Sequence, residues 1–269
     1  MDREFWHKQK ADKPLFPDLI WSRPENAAFA GKLLVVGGNQ YGFTNPATAF
    51  TESRKAGIGV ARVLLPDALQ KTVGRVFDAG EFAPSTPSGS FSQRALGELL
   101  PMAHWADGVL LSGDLGRNSE TAILLEKFVT KHNGQVTLTC DAADYFTSSP
   151  DAVLSRPDTL WVISFAQLQK LAVQARFPKA FTFDMDILRF TDTLHNFSQT
   201  FHAFIIVKHL DNIFVAASGK VSSTRLTEEL KIWRLKTAAH ACVWWLQNPS
   251  KPFEALTTGV VTSLNKNVW

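Results

Sequence analysis

The chain is short of several things that would otherwise define it. Its 269 residues include only two cysteines, Cys140 and Cys242. Two cysteines make no multi-bridge disulfide framework, and their separation matches no zinc-binding spacing. Both lie in apolar stretches and are expected to be reduced core thiols of a cytoplasmic protein. The formal net charge is only +3, and the basic residues are scattered. Composition thus carries no footprint of nucleic-acid binding. No apolar run is long enough to span a membrane. The opening Met1-Asp-Arg-Glu-Phe-Trp-His-Lys8 has no apolar centre, so no secretory signal is expected. The last quarter lacks still more: no aspartate follows Asp211, and no glycine lies between Gly219 and Gly259. That stretch therefore has neither a glycine-rich turn to cradle a phosphate nor an aspartate base beside one.

What is present reads as an α/β protein. Hydrophobic residues make up 45% of the chain, which at this length supports a packed core. Leu33-Leu-Val-Val36 is a short apolar run ending at Gly37-Gly38, the pattern of a buried parallel strand and a tight turn. Asn45-Pro46 to Ala56 predicts a helix, with Asn45 as its N-cap and Pro46 in the first helical position. Gly59–Pro66, Ala106–Ser112, Gln135–Cys140 and Trp161–Ser164 read as strands. Helices are expected at about Glu120–Lys131 and over Gln167–Gln174. Ala203–Lys208 and Asn212–Ala217 read as an antiparallel hairpin turning at His209-Leu-Asp211. Long helices over 227–247 and 253–265 complete the pattern.

Strands alternating with helices predict a mostly parallel sheet with helices on both faces. Residues 1–30 read as an N-terminal arm whose Phe5, Trp6, Phe16 and Trp21 pack onto the body or a neighbouring subunit. Residues 31–269 read as a single domain. Trp233, Trp244 and Trp245 cannot share one narrow helix face. Core packing is their default placement and a subunit contact the alternative, and Trp269 ends the chain.

In sheets of this kind ligands bind beyond the carboxyl ends of the strands. Three strand ends carry polar or glycine-rich loops: Gly37–Asn45, Gly113–Ser119 and Asp141–Asp144. The segment Gly31-Lys-Leu-Leu-Val-Val-Gly-Gly-Asn-Gln-Tyr-Gly-Phe-Thr-Asn-Pro-Ala47 resembles the opening of ADP- or ATP-dependent NAD(P)H-hydrate dehydratases, a family of the ribokinase-like superfamily. Arg54-Lys-Ala-Gly-Ile-Gly-Val-Ala-Arg-Val63, Ala106-Asp-Gly-Val-Leu-Leu-Ser-Gly-Asp-Leu-Gly-Arg117 and Thr139-Cys-Asp-Ala-Ala-Asp144 are similar to its next segments. Phe204-Ile-Ile-Val-Lys-His-Leu-Asp211 resembles its late hairpin, and Pro252-Phe-Glu-Ala255 its last helix start. Order and spacing together carry the resemblance, which spans about residues 31–265.

The resemblance implies a ribokinase-like fold, a cytoplasmic homo-oligomer, and ATP or ADP with Mg²⁺ acting on a hydrated NAD(P)H. It implies a substrate pocket lined by Asn39, Gln40, Tyr41 and Asn45 from the first loop, Gly113, Asp114 and Gly116 from the second, and Asp141 from the third. Lys208, Asp211, Arg234 and Lys236 are the corresponding nucleotide-side residues. Capping is the favoured role for Asn45. For Asp141, pocket and cap stay open equally. For the basic residues near the late helix, including Arg225 and Lys231, a solvated face is the plainer alternative.

The chain departs from the family in three places. Trp161-Val-Ile-Ser-Phe-Ala-Gln-Leu168 stands where the family has a His-Pro-Gly-Glu segment. Ser112-Gly113-Asp114 replaces a Gly-Pro-Gly loop and adds a carboxylate, which repels phosphate. The family's Gly-Gly-Ser-Gly-Asp element, an anion hole ending in the catalytic base, has no counterpart. Counting from either flank puts Lys236 or Ala238 at the Asp position. No catalytic residue is therefore assigned. Loss of base and donors together costs several orders of magnitude in rate. The expectation is a dehydratase homologue with impaired catalysis. The alternatives are a pseudoenzyme that binds nucleotide or serves assembly, and a small-molecule kinase, which would need the same Asp.

Overall fold

The computed structural model describes residues 3–75, 77–226 and 233–264 and arranges ten strands in one continuous sheet. The strands are β1 (Trp6–Gln9), β2 (Lys32–Gly37), β3 (Val60–Pro66), β4 (Gly80–Ala83), β5 (Gly108–Gly113), β6 (Gln135–Thr139), β7 (Thr159–Ile163), β8 (Phe204–His209), β9 (Asn212–Ala217) and β10 (Lys220–Arg225). Their spatial order is β1-β10-β9-β8-β7-β6-β5-β2-β3-β4. Among the described strands only β9 runs against the others, pairing antiparallel with β8 and β10. The remaining pairs are parallel.

Four helical segments are short: α1 (Pro17–Trp21), α3 (Gln70–Val73), α6 (Cys140–Asp144) and α7 (Asp151–Leu154). The longer ones are α2 (Thr44–Lys55), α4 (Leu96–Trp105), α5 (Ser119–Lys131), α8 (Phe165–Gln174), α9 (Ile187–Thr200), α10 (Arg234–Gln247) and α11 (Pro252–Leu264).

The central strands are apolar on both sides because both sides are covered, as the unbroken Leu33–Val36 run requires. Alternation along them divides the core in two. Leu34, Val36, Val109, Leu111 and Trp161 meet residues of α4, α5, α8 and α9. Leu33, Val35, Leu110 and Val162 face the other way and meet residues of α2, α10 and α11. Trp244 and Trp245 are fully buried in that second layer, so their place is the core and not a subunit contact. Trp233 is half-buried at the start of α10.

The N-terminal segment is more than an arm. β1 pairs in parallel with β10 and forms one edge of the sheet. Gln9, buried, donates from Nε2 to Thr224 Oγ1 and to the Thr257 carbonyl, both at 3.0 Å. Phe5 stacks on His195 at 3.8 Å between ring centroids, and Phe16 meets Phe253 edge-on. Trp21 does not pack onto the body: it is 86% exposed. The late helix expected over 227–247 is described from Arg234 onward, and 227–232 lie outside the described residues, as does Trp269. Cys242 is a core thiol as expected, but Cys140 is only half-buried.

Candidate functional site

Strand order fixes where a ligand can sit. From β2 the chain winds outward through β3 and β4, then returns to the other side of β2 as β5 and continues to β8. The winding reverses between β2 and β5, so the loops leaving their carboxyl ends diverge and open a crevice.

The loop after β2 is a tight turn. Asn39 and Gly42 exchange backbone hydrogen bonds at 3.0 Å, and Asn39 Oδ1 accepts from the Tyr41 N–H at 2.8 Å. Asn39 Nδ2 donates to the Asp114 carbonyl at 2.6 Å, tying this loop to the one after β5. Asp114 in turn accepts the Asn45 N–H on Oδ2 at 2.7 Å. Helix α2 begins at Thr44, and Phe43 at its N-cap gives no side-chain bond. The cap expected from Asn45 is thus supplied by Asp114 of the neighbouring loop, where a carboxylate also suits the positive end of the helix. The Asn45 side chain is left to line the crevice.

Gly113 is confined on every side. Its φ of 105° lies in the left-handed region, and a Cβ there would fall 2.5 Å from Asp141 Oδ1 and 2.9 Å from Asn45 Nδ2. Asp141 sits in the first turn of α6, yet its Oδ2 accepts from the Leu115 N–H at 3.0 Å and so holds the β5 loop. Its Oδ1 is buried with no hydrogen-bond partner among the described residues. Burial pushes the Asp141 carboxyl up from its ordinary range, opposed by the Leu115 and Asp114 N–H groups and reinforced by the charge of Asp114. Burial likewise pushes the Cys140 thiol up.

The far wall is organised by one amide. Ser164 and Gln167 form a reciprocal capping box at the start of α8. Gln167, 9% exposed, donates from Nε2 to Asp144 Oδ1 at 2.9 Å and to the Cys140 carbonyl at 2.8 Å. Its Oε1 accepts from Arg234 Nη1 at 3.1 Å. A buried side chain therefore links α6, α8 and α10 and holds the Arg234 guanidinium at the crevice.

The crevice has two lobes. One, of about 710 Å³, lies between Asn45, Asp114, Cys140, Gln167 and the start of α10 at Trp233, Arg234 and Leu235. The other, of about 610 Å³, lies between Gly116, Arg117, Asn118, Tyr145 and Lys170. Asp141 and Asp144 border both. Tyr145 Oη donates to the Gly116 carbonyl at 2.5 Å and accepts from the Asn118 N–H at 3.3 Å, which fixes the loop between the lobes. Burial pushes the Tyr145 hydroxyl up from its ordinary range. Both lobes have the volume of small-molecule sites. Among the described residues no three Asp, Glu, His or Cys side chains converge closely enough to hold a metal ion.

Of the residues singled out in the sequence, Asn39, Asn45, Gly113, Asp114, Gly116 and Asp141 come together here. Gln40 is tied by its backbone N–H to the Gly89 carbonyl, and Tyr41 points outward at 88% exposure. Arg234 lines the first lobe. Lys208, Asp211 and Lys236 line neither lobe. Sequence reasoning missed Gln167, Tyr145, Arg117 and Lys170. Two of them had a readable signal: Ser164-x-x-Gln167 is a capping-box spacing, and Tyr145 follows Asp141 by one helical turn.

No protein-family model matches the sequence, and a comparison with curated proteins also gives no match. Solved structures do match. A ribokinase-like superfamily protein from Enterococcus faecalis V583 superposes with a TM-score of 0.70 at 12% identity, over 98% of this chain and 88% of that one. ADP/ATP-dependent NAD(P)H-hydrate dehydratase from Bacillus subtilis, co-crystallised with ATP and Mg²⁺, gives 0.59 at 9% identity, over 93% and 87%. Phosphomethylpyrimidine kinase from Clostridium difficile 630 gives 0.54 at 7%, over 87% and 97%. At these identities the likeness establishes the fold: the chain has the ribokinase-like α/β fold. Since a dehydratase and a kinase share it, the fold does not select the reaction.

Proposed function

We propose that the protein is a divergent homologue of the NAD(P)H-hydrate dehydratases that binds a nucleotide or dinucleotide in this crevice with impaired catalysis or none. The first turn of α10 carries the proposal. It enters the crevice as Trp233-Arg234-Leu235, which has no glycine and precedes the Lys236 or Ala238 that the resemblance aligns with the family's catalytic Asp. A guanidinium held by Gln167 offers a phosphate a charge-assisted hydrogen bond. It cannot accept the proton of a hydroxyl under attack, because arginine stays protonated. Asp114, Asp141 and Asp144 are the carboxylates of this lobe, and each already accepts a hydrogen bond, from Asn45, Leu115 and Gln167 respectively. The described side chains give no ready-made Mg²⁺ site, so a metal would have to arrive with the nucleotide's own phosphates as ligands.

The alternative is a pseudoenzyme whose ribokinase-like body serves assembly. Its support is the exposed Trp21 and Phe29, at 86% and 79%. A cytosolic homo-oligomer belongs to either version, and light scattering tests the oligomer.

The test of catalysis is incubation of the protein with hydrated NADH, Mg²⁺ and either ATP or ADP, following the return of NADH absorbance. No recovery is expected where a standard dehydratase recovers the cofactor. Recovery that scales with protein and is lost on Asp141→Asn would overturn the impaired-catalysis claim and name the replacement base.

A further inference from the structure

We infer that the lobe bounded by Arg117 and Lys170 is a second anion subsite, so that the crevice takes a ligand with a phosphate at each end of a hydroxyl-bearing sugar. The inference rests on the nucleotide-binding reading and narrows its ligand class. Charges alternate along the two lobes. Arg234 stands in one together with Asp114, whose Oδ2 is engaged by the Asn45 N–H, Arg117 and Lys170 stand in the other, and Asp141 and Asp144 border both. Neither Arg117 nor Lys170 forms an ion pair with any described residue.

The two lobes differ in how their cations are held. Arg234 is fixed by the buried Gln167 amide. Arg117 follows Gly116, whose carbonyl is pinned by Tyr145, and Asn118 beyond it caps α5 with Oδ1 on the Glu120 N–H at 2.8 Å. Both ends of the short loop that carries Arg117 are therefore anchored. Lys170 stands on α8, the same helix whose first turn carries Gln167, so the walls of the two lobes are coupled through one rigid element.

The carboxylates decide what lies between. A phosphate beside Asp141 or Asp144 is repelled. A sugar hydroxyl donates to them, as ribose hydroxyls do to the acidic residue of dinucleotide-binding folds. Asp144 is exposed at the boundary of both lobes with its Oδ1 engaged by Gln167, and its other oxygen is an acceptor for such a donor. Phosphates are thus driven to the cationic ends and hydroxyls to the centre. A monophosphate satisfies one end only.

The test compares adenosine 3′,5′-bisphosphate with adenosine 5′-monophosphate by calorimetric titration at low ionic strength. Wild type is expected to bind the bisphosphate at least about tenfold more tightly, the scale of one charge-assisted phosphate contact. In the Arg117→Ala/Lys170→Ala double variant that preference should vanish. Both side chains are exposed, so their truncation leaves the core intact. Lys131→Ala, at the opposite end of α5, controls for the loss of positive charge and should retain the preference. Equal affinities in wild type, or a preference that survives the double variant, would overturn the second subsite and leave nucleotide binding standing. Failure of both ligands to bind wild type would overturn the two readings together.

Discussion

At the scale of single residues, the crevice is built by side chains that satisfy one another's backbone. Asp114 is the clearest case. It looked in the sequence like an intrusive carboxylate, and the structure gives it the task of capping α2 through Asn45. Capping was legible as a need of that helix, but the residue that accepts the cap hydrogen bond was not, because it arrives from a strand end 69 positions away. Asp114→Ala is expected to cost about 1 kcal/mol, as other lost caps do, measured by urea unfolding. An unchanged midpoint would mean that water serves that N–H equally well. Gly113→Ala should cost more. The new Cβ meets Asp141 and Asn45 and takes a backbone conformation that side chains rarely adopt. A loss of about 1–3 kcal/mol is expected, together with weaker ligand binding. Retention of both stability and binding would show that the loop shifts freely.

At the scale of elements, most strands were legible because burial on both faces writes them as apolar runs. β10 was not. Its Lys-Val-Ser-Ser-Thr-Arg sequence is mostly polar and carries no apolar run, yet Ser222, Ser223 and Thr224 are buried. Their hydroxyls meet Thr257, Trp6 and Gln9, two of which belong to the N-terminal segment. Polar pairing across 215 residues leaves no mark on local hydropathy. The packing of α10 on α11 follows a similar rule. A Cβ on Gly259 would fall 2.5 Å from Ala241 Cα, so the two helices meet backbone to backbone. Gly259→Leu is expected to cost about 1–3 kcal/mol through overpacking, read from the denaturant midpoint. A neutral result would mean that the helices can separate without loss.

Between α2 and α10, His240 Nε2 lies 3.5 Å from Glu52 Oε2, with Lys55 on the other carboxylate oxygen at 2.6 Å. Burial holds the His240 ring below its ordinary range, opposed by Glu52, while the charges of Lys236 and Arg23 push the same way as burial. Burial also holds His132 down at about 4, with Arg156 and His104 adding to the effect. The folded protein therefore declines protons that the unfolded chain accepts below about pH 6.5, and stability falls as pH drops through that point. Glu52 is held below the usual carboxylate range by His240 and then Lys55. It adds a further loss once the pH falls through the ordinary carboxylate pKa. The melting temperature should decline from pH 7 to pH 5, less steeply in His132→Asn. A flat profile would show that these rings titrate normally.

At the scale of the whole molecule, the ribokinase-like architecture was legible because alternating strands and helices admit few topologies. Its winding reversal between β2 and β5 brought six of the singled-out loop residues into one place. The second lobe was not legible, since Tyr145, Arg117 and Lys170 come from three elements and meet only after folding. What the sequence lacks in its last quarter becomes, in the structure, a helix start that presents Arg234 to the crevice. The central claim is that this guanidinium, at the start of α10, binds nucleotide phosphate in the crevice. Calorimetric titration of ADP into wild type and Arg234→Ala tests it most directly. Saturable one-site binding that weakens at least about tenfold in the variant, with ADP recovered unchanged, is the predicted result. No binding to wild type, or binding indifferent to Arg234, would contradict it.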